Sequence, residues 1–438
     1  MPLPATLRHA VIPEAVLEVL SRLGAAGHRS WVVGGAVRDL LLRRAPADAD
    51  YDLATPATPQ QVTALFRRVI PTGIEHGTVT VLTPDRHQVE VTTFRGEGPY
   101  LDGRRPESVA FHTDLDADLA RRDLTVNAMA FDPLVGELVD PFGGRGDLAA
   151  RLLRAVGDPV ARFAEDGLRP LRAVRFAAQL GFALHPATRA AVRGALPVVR
   201  KVSLERVGEE VRRIADAPHL ARALELLAAT GLLEVILPPL AAVPGPVRRH
   251  AGATAAALPP DAAAPHRRLA ALLHVLPAAE AAALVSGLRF PRRVSDETGA
   301  LVARHECLRA GVGEDPSAPP AVRRWLAGVG PERAPELLAL RDAEVAAAPA
   351  WRRAATRAAA RRWRRRVEAA LASGAPLTTG ALSLDGRALM EALGCGPGPQ
   401  VGEGLRALLD EVLDDPSLDT PDRLREVARR WWTSRAPL

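Results

Sequence analysis

Asp50 and Asp52 are one residue apart. On a strand such a pair projects from one face, because strand side chains repeat every second residue. Two carboxylates held that way repel unless a cation lies between them. A divalent metal answers this, and Mg²⁺ commonly takes one or two carboxylates together with substrate phosphates. Upstream, the short apolar run Trp31-Val32-Val33 reads as a buried strand ended by Gly34-Gly35. Glycines at a strand end let backbone N–H groups approach a ligand with no Cβ in the way. Arg38 then brings a fixed cation, on a brief helix whose apolar side is Val37, Leu40, Leu41 and Leu42. A lone D-x-D describes surface acids; beside GG-x-x-R-D it describes metal-assisted work on phosphates. Glu90, in the alternating run 88–95, is a candidate third carboxylate, with pairing to a neighbouring arginine as the plainer reading.

Three further clusters carry charge at spacings that can act together. Arg121-Arg122-Asp123 offers paired guanidiniums for a triphosphate and a carboxylate able to pin one of them. In 165–176, Asp166 and Arg169 are i, i+3 neighbours if both lie on a helix. Arg172 remains beside Arg169, while Arg175 drifts well round the axis, toward phosphate or RNA, since a turn takes 3.6 residues. Ser203 is placed to cap a helix carrying Glu205 and Glu209 one turn apart, where they would orient Arg169 or Arg172, or simply complement the helix dipole.

GGAVRD followed by DYDLAT resembles the first motif of the class II CCA-adding tRNA nucleotidyltransferase and bacterial poly(A) polymerase family, within the polymerase-β-like nucleotidyltransferase superfamily. The R-R-D and E-D-x-x-R segments, with 201–211, match its further motifs. The resemblance implies template-independent addition of CCA to the 3′ end of tRNA from CTP and ATP, with release of pyrophosphate. It implies that Asp50 and Asp52 hold Mg²⁺, with Glu90 as a third acid. Gly35, Arg38 and Arg121 would grip the triphosphate, with Arg172 and Arg175 completing the nucleotide-binding set. Asp166 and Arg169 would read the base: cytosine and adenine both present an amino donor beside a ring-nitrogen acceptor, whereas uracil and guanine place a carbonyl where Asp166 needs a donor. A polar pair of this kind discriminates by roughly 1–3 kcal/mol. The segment 96–106 resembles the flexible loop of members that add the final A, against an enzyme limited to CC. The alternatives are an A-adding enzyme with a separate CC-adding partner, a poly(A) polymerase, or an RNA-binding protein on an inactive scaffold. The form of 72–79 favours the tRNA enzymes over poly(A) polymerase, and the intact acid pair opposes the inactive scaffold.

The elements that must position these residues divide the 438-residue chain. Residues 1–147 alternate helix and strand patterns, with helices at 13–23 and 59–66 and strands at 76–82 and 87–94. Beyond 148 the apolar spacing is helical. The expected class is α+β: a polymerase-β-like nucleotidyltransferase head with a mixed sheet, then an all-α neck (148–215), body (216–345) and tRNA-binding tail (346–438). Alanine- and proline-rich stretches at 251–265 and 316–320 read as linkers or loops.

The net charge of +6 is modest for this length, so nucleic-acid binding must come from where the charge sits. The densest basic run is 351–366; it reads as a helix contacting RNA phosphates, or as a solvated face. Residues 384–402 resemble the family's tail, implied to hold the tRNA elbow. Cys307 and Cys395 are too few and too far apart for a disulfide framework or a cysteine zinc site, which suits a reducing cytoplasm. No apolar run approaches the ~20 residues that span a bilayer, and the N-terminus lacks a secretory pattern. In the body, 266–276 resembles an HD phosphohydrolase helix, but Val275 follows His274 where that chemistry needs Asp. The histidines therefore read as structural, and a dinuclear metal site is not expected. Oligomeric state is left open.

Overall fold

The computed structural model describes residues 3–44, 51–84, 87–97, 109–111, 114–305 and 319–434. The chain forms two compact units, Met1–Ala242 and Val243–Leu438. The division falls inside the stretch assigned to the body.

The first unit is built on a seven-stranded sheet. Its strands are β1 (Trp31–Val33), β2 (Asp52–Thr55), β3 (Val69–Gly73), β4 (Thr78–Leu82), β5 (Gln88–Thr93), β8 (Ala130–Asp132) and β9 (Glu137–Val139). A separate hairpin, β6 (Arg95–Glu97) with β7 (Val109–Phe111), lies between β5 and β8 in the chain. The sheet order is β3-β4-β5-β2-β1-β8-β9, with β2 and β5 parallel and the other pairs antiparallel, so the sheet is mixed as expected. Alternation sets its faces: Val89 and Val91 are buried while Gln88 and Glu90 are exposed. On one side Val33, Ala54, Phe94, Leu119 and Ala130 form a core.

The helix at 59–66 runs Pro59–Leu65, because Thr58 and Gln61 form a reciprocal capping box and Pro59 opens the first turn. The strand expected from 76 starts at Thr78, because Gly77 sits at φ 76° and closes a 3₁₀ turn over Ile74–His76. Helices follow from residue 159, and Arg169–Leu180 is almost wholly buried.

The second unit is helical throughout its described residues. The alanine-rich segment read as a linker is corrected: 251–257 ends the helix Gly245–Ala257, with Ala251, Thr254 and Ala255 buried. Alanine is the strongest helix former, and here it also lets neighbouring helices approach closely. Likewise Pro319 opens a helix, Pro319–Val329. The C-terminal part packs Leu384, Leu389, Leu408, Val412 and Leu424 into a core of its own.

Candidate active site

Gly34 joins β1 to the helix Gly35–Leu41 at φ 72°, a conformation that suits glycine alone among common residues. A Cβ there would stand 2.8 Å from Nη1 of Arg122. The turn is therefore bare because an arginine lies against it. Beside it, Val33 of β1 is the Cα partner of Asp52, and Asp52 is the Cα partner of Glu90 in parallel register. Neighbours in register share a face, so these two exposed carboxylates stand together at the end of the strand that enters the glycine turn. Both are hard oxygen donors, the kind Mg²⁺ takes. Asp50 lies outside the described residues, as do Tyr100, Asp102, Arg104, Arg105 and Pro106 of the loop segment and Cys307.

Arg38 is buried and firmly held. Its Nε and Nη2 donate to the two oxygens of Asp39 at 2.9 and 2.8 Å, and its Nη1 donates to Asn127 Oδ1 at 2.7 Å. Arg121 and Arg122 share one carboxylate, Asp118: Arg121 donates to Oδ1 from Nε and Nη2 at 2.9 and 2.8 Å, and Arg122 donates to Oδ2 at 3.3 Å. Burial lowers the pKa of Arg122 from its ordinary value, against the opposing pull of Asp118 and, more weakly, Asp52. Asp123 does not pin either member of the R-R pair. It accepts from Arg172 Nε at 2.7 Å, Asn127 Nδ2 at 3.1 Å and the Leu124 amide at 2.8 Å. Burial alone would raise its pKa, but Arg172 and these hydrogen bonds bring it down to about 2. Asp118 was legible, at i, i+3 and i, i+4 from the two arginines it holds.

The base-reading pair needs a correction. Asp166 and Arg169 do not share a helix: Pro159–Glu165 ends at Asp166, whose φ/ψ are extended, and the next helix begins at Arg169. The turn is fixed at Gly167, where a Cβ would come 2.5 Å from the Val198 carbonyl. Asp166 accepts from the Leu168 amide at 2.9 Å and from Arg206 Nη2 at 2.8 Å. Arg169 donates to Glu165 and to the carbonyl oxygens of Arg162 and Arg121, at 3.1 and 3.0 Å for the carbonyls. It thereby ties the R-R-D segment to the neck. Both side chains still emerge from one turn, and Asp166 keeps some exposure.

Arg175 is also corrected. It is turned inward, 2.7 Å from Glu210, both residues buried, and lies 4.1 Å from the centre of the Phe176 ring. Burial lowers its pKa, and Glu210 counters this. It is a packed ion pair rather than a contact for phosphate or RNA. The same ring meets Arg38 at 5.1 Å and Arg172 at 5.6 Å. Ser203 precedes the helix Leu204–Ala215 but makes no side-chain cap. Glu209 binds Arg212 and Arg213 instead of Arg169 or Arg172, and those bonds, against burial, take its pKa to about 2. The inward acid is Glu210, and its signal was present: Val207, Glu210, Val211 and Ile214 form one buried helical stripe.

In the second unit, Ala350–Ala372 carries Arg357, Arg361, Arg362, Arg365 and Arg366 exposed, while Val367 and Leu377 pack toward Val322 and Leu326. Asp385 caps the helix Gly386–Leu393 through the Ala388 amide at 2.8 Å, and Gly394 ends it at φ 65°.

A protein-family model described as "Poly A polymerase head domain" matches residues 30–154, and one described as "Probable RNA and SrmB- binding site of polymerase A" matches 181–243. The chain is similar to the CCA-adding enzyme of Geobacillus stearothermophilus, 37% identical over 94% of this chain and 95% of that one. It resembles the crystal structure of the Bacillus stearothermophilus CCA-adding enzyme in complex with CTP at a TM-score of 0.78, with 33% identity and 99% of each chain covered. The Thermotoga maritima CCA-adding enzyme complexed with tRNA-CCA shares the fold at a TM-score of 0.68 and 17% identity, over 98% of this chain and 100% of that one.

Proposed function

The chain belongs to the family of CCA-adding enzymes, and from that premise we propose that it completes the 3′ CCA end of tRNA from CTP and ATP, releasing pyrophosphate without a template. The observation that carries the reading to this chain's own residues is the register Val33–Asp52–Glu90, which seats two acids beside the Gly34 turn. Nucleotidyltransferases use divalent metal in general, and Asp50 and Asp52, with Glu90 as a third acid, would hold Mg²⁺ here. When bound, that ion lowers the cost of ionising the primer 3′-hydroxyl and of expelling pyrophosphate.

The protein's own part is positioning. The Gly35 turn, Arg38 and Arg121 orient the triphosphate, and Asp39 and Asp118 keep the two guanidiniums from wandering. Asp166 accepts from the amino group shared by cytosine and adenine, and Arg169 donates to the adjoining ring nitrogen. Uracil and guanine leave Asp166 facing an acceptor, which is how one site takes C and A. Arg172, held by Asp123, keeps the base-reading turn in place. Residues 1–147 act as head, 148–215 as neck, 216–345 as body and 346–438 as the tail that meets tRNA. A cytoplasmic location would suit work on tRNA. Among the described residues no helix is long and apolar enough to cross a membrane.

The deciding assay gives purified protein tRNA transcripts that end before CCA or before A, with each nucleotide in turn. C, C and then A should be added, and nothing from UTP or GTP. A chain that extends only the transcript ending before A would be an A-adding enzyme. Asp50→Ala with Asp52→Ala should retain tRNA binding and lose transfer; substantial residual transfer would remove the metal assignment.

A further inference from the structure

Away from the nucleotide site, the second unit gathers four residues from four helical segments. His250 lies in Gly245–Ala257, His274 caps the end of Pro265–Leu273, His305 ends Arg292–His305, and Glu344 lies in Ala334–Ala347. His274, His305 and Glu344 are buried and His250 is half-buried. One donor atom from each of His250, His274 and Glu344 lies within 4.8 Å of the other two. The His274 ring stands edge-on to His250 at 5.5 Å and to His305 at 5.2 Å between centres.

Three details make this more than a cluster. His274 Nδ1 lies 2.8 Å from the Ala271 carbonyl, which accepts only from N–H, so in the neutral ring Nε2 carries the lone pair, the arrangement a metal-bound histidine uses. Glu344 Oε2 accepts from Arg341 Nη1 at 2.7 Å, and His305 Nε2 lies 3.4 Å from that same oxygen. A cavity of about 1060 Å³ opens onto His250, His274 and Glu344.

We propose that His250, His274 and Glu344 bind a zinc-class divalent ion whose fourth position faces this cavity and takes a small oxyanion. Two imidazoles and one carboxylate are a ligand set for such an ion with one position open. Bonds of about 2.0–2.2 Å hold tetrahedral donors roughly 3.4 Å apart. The donors therefore draw in by about 1.4 Å at most, and His250 is the one of the three that is not fully buried. The charge balance selects the fourth ligand. One carboxylate leaves a divalent ion with a net positive charge, and Arg249, Arg341 and Arg353 also line the cavity. An anion is what that surface lacks. The site uses no residue of the nucleotidyl-transfer machinery and does not depend on the reading above.

The test uses the full chain, stripped with chelator and titrated with Co²⁺. One tightly held ion per chain with intense tetrahedral visible absorption is expected, displaced by Zn²⁺. Inorganic phosphate should change that spectrum. His250→Gln and Glu344→Gln should each weaken Co²⁺ binding at least about tenfold, taking removal of a ligand to cost no less than disturbing its support. Both should keep the parent's circular dichroism and metal-free melting temperature, showing that they fold. Absence of the tetrahedral band, or a Co²⁺ affinity in both variants unchanged from the parent, overturns the site. A spectrum indifferent to phosphate overturns the oxyanion position.

Discussion

Arginine does different work in the helix Arg169–Leu180 and in the helix Ala350–Ala372. In the first, Arg169, Arg172 and Arg175 each have a carboxylate partner, and two of the three are buried. In the second, Arg357, Arg361, Arg362, Arg365 and Arg366 face solvent. A guanidinium with a fixed partner keeps its fork aimed at one place, which a base edge demands. A row of solvated guanidiniums sums its charge over distance without choosing among bases, which a phosphate backbone rewards. Selection needs the first kind and attachment the second.

The sharpest way to break this contrast is Asp166→Ala. If the neck reads bases, the variant loses its preference for C and A over U by roughly 5- to 150-fold, the range a 1–3 kcal/mol contact spans, at any salt concentration. Measured single-nucleotide incorporation showing unchanged preference with merely weaker tRNA binding would put the neck in the same class as the basic helix.

Asp123→Asn comes next. The wild-type carboxylate is held near pKa 2, below its ordinary value of 3.8. Its contribution is therefore present above pH 4 and is lost as pH falls toward 2. At neutral pH it is worth about 2 kcal/mol. Thermal unfolding from pH 6 to pH 2.5 should show a shallower acid decline in the variant than in the parent; identical declines would mean that Asp123 is not fixing Arg172 by charge.

Smaller, and of another kind, is the effect of changing Arg361, Arg365 and Arg366 together to Ala. tRNA affinity should fall equally for every incoming nucleotide, and the slope of log affinity against log salt should drop by up to about 2–3 units. An unchanged slope would return this helix to a plain solvated face. The smallest effect is expected at Arg364, which donates to Asp342 at 2.6 Å on the surface. Arg364→Ala should cost no more than about 1 kcal/mol in urea unfolding, and a larger loss would show that this helix too depends on fixed partners.

The contrast also explains what the sequence could reveal. The strand Trp31–Val33, the glycine turn and the register-sharing acids were legible because alternation and backbone permissiveness are local properties. The helical phase of 351–366 was legible for the same reason. The turn that carries Asp166 and Arg169 was not, since its break at Asp166 depends on Gly167 meeting the Val198 carbonyl, some thirty residues away. Partner choice among acids was half legible. Asp118 and Glu210 follow from helical spacing, whereas the bond from Asp123 to Arg172 crosses 49 positions and follows from no local rule. The convergence of Glu344 on His250 and His274 was hidden likewise, because packing of separate helices decides it.

Phe176 has a consequence of its own. The three guanidiniums around its ring each hold a separate acid: Arg38 has Asp39, Arg172 has Asp123, and Arg175 has Glu210. That assembly is electrically neutral before any nucleotide arrives, so arrival need not rebuild it, and stiffness is prepaid at folding. Arg121 and Arg122, by contrast, both donate to one carboxylate, Asp118. The aromatic hub is thus a frame already set once the chain has folded.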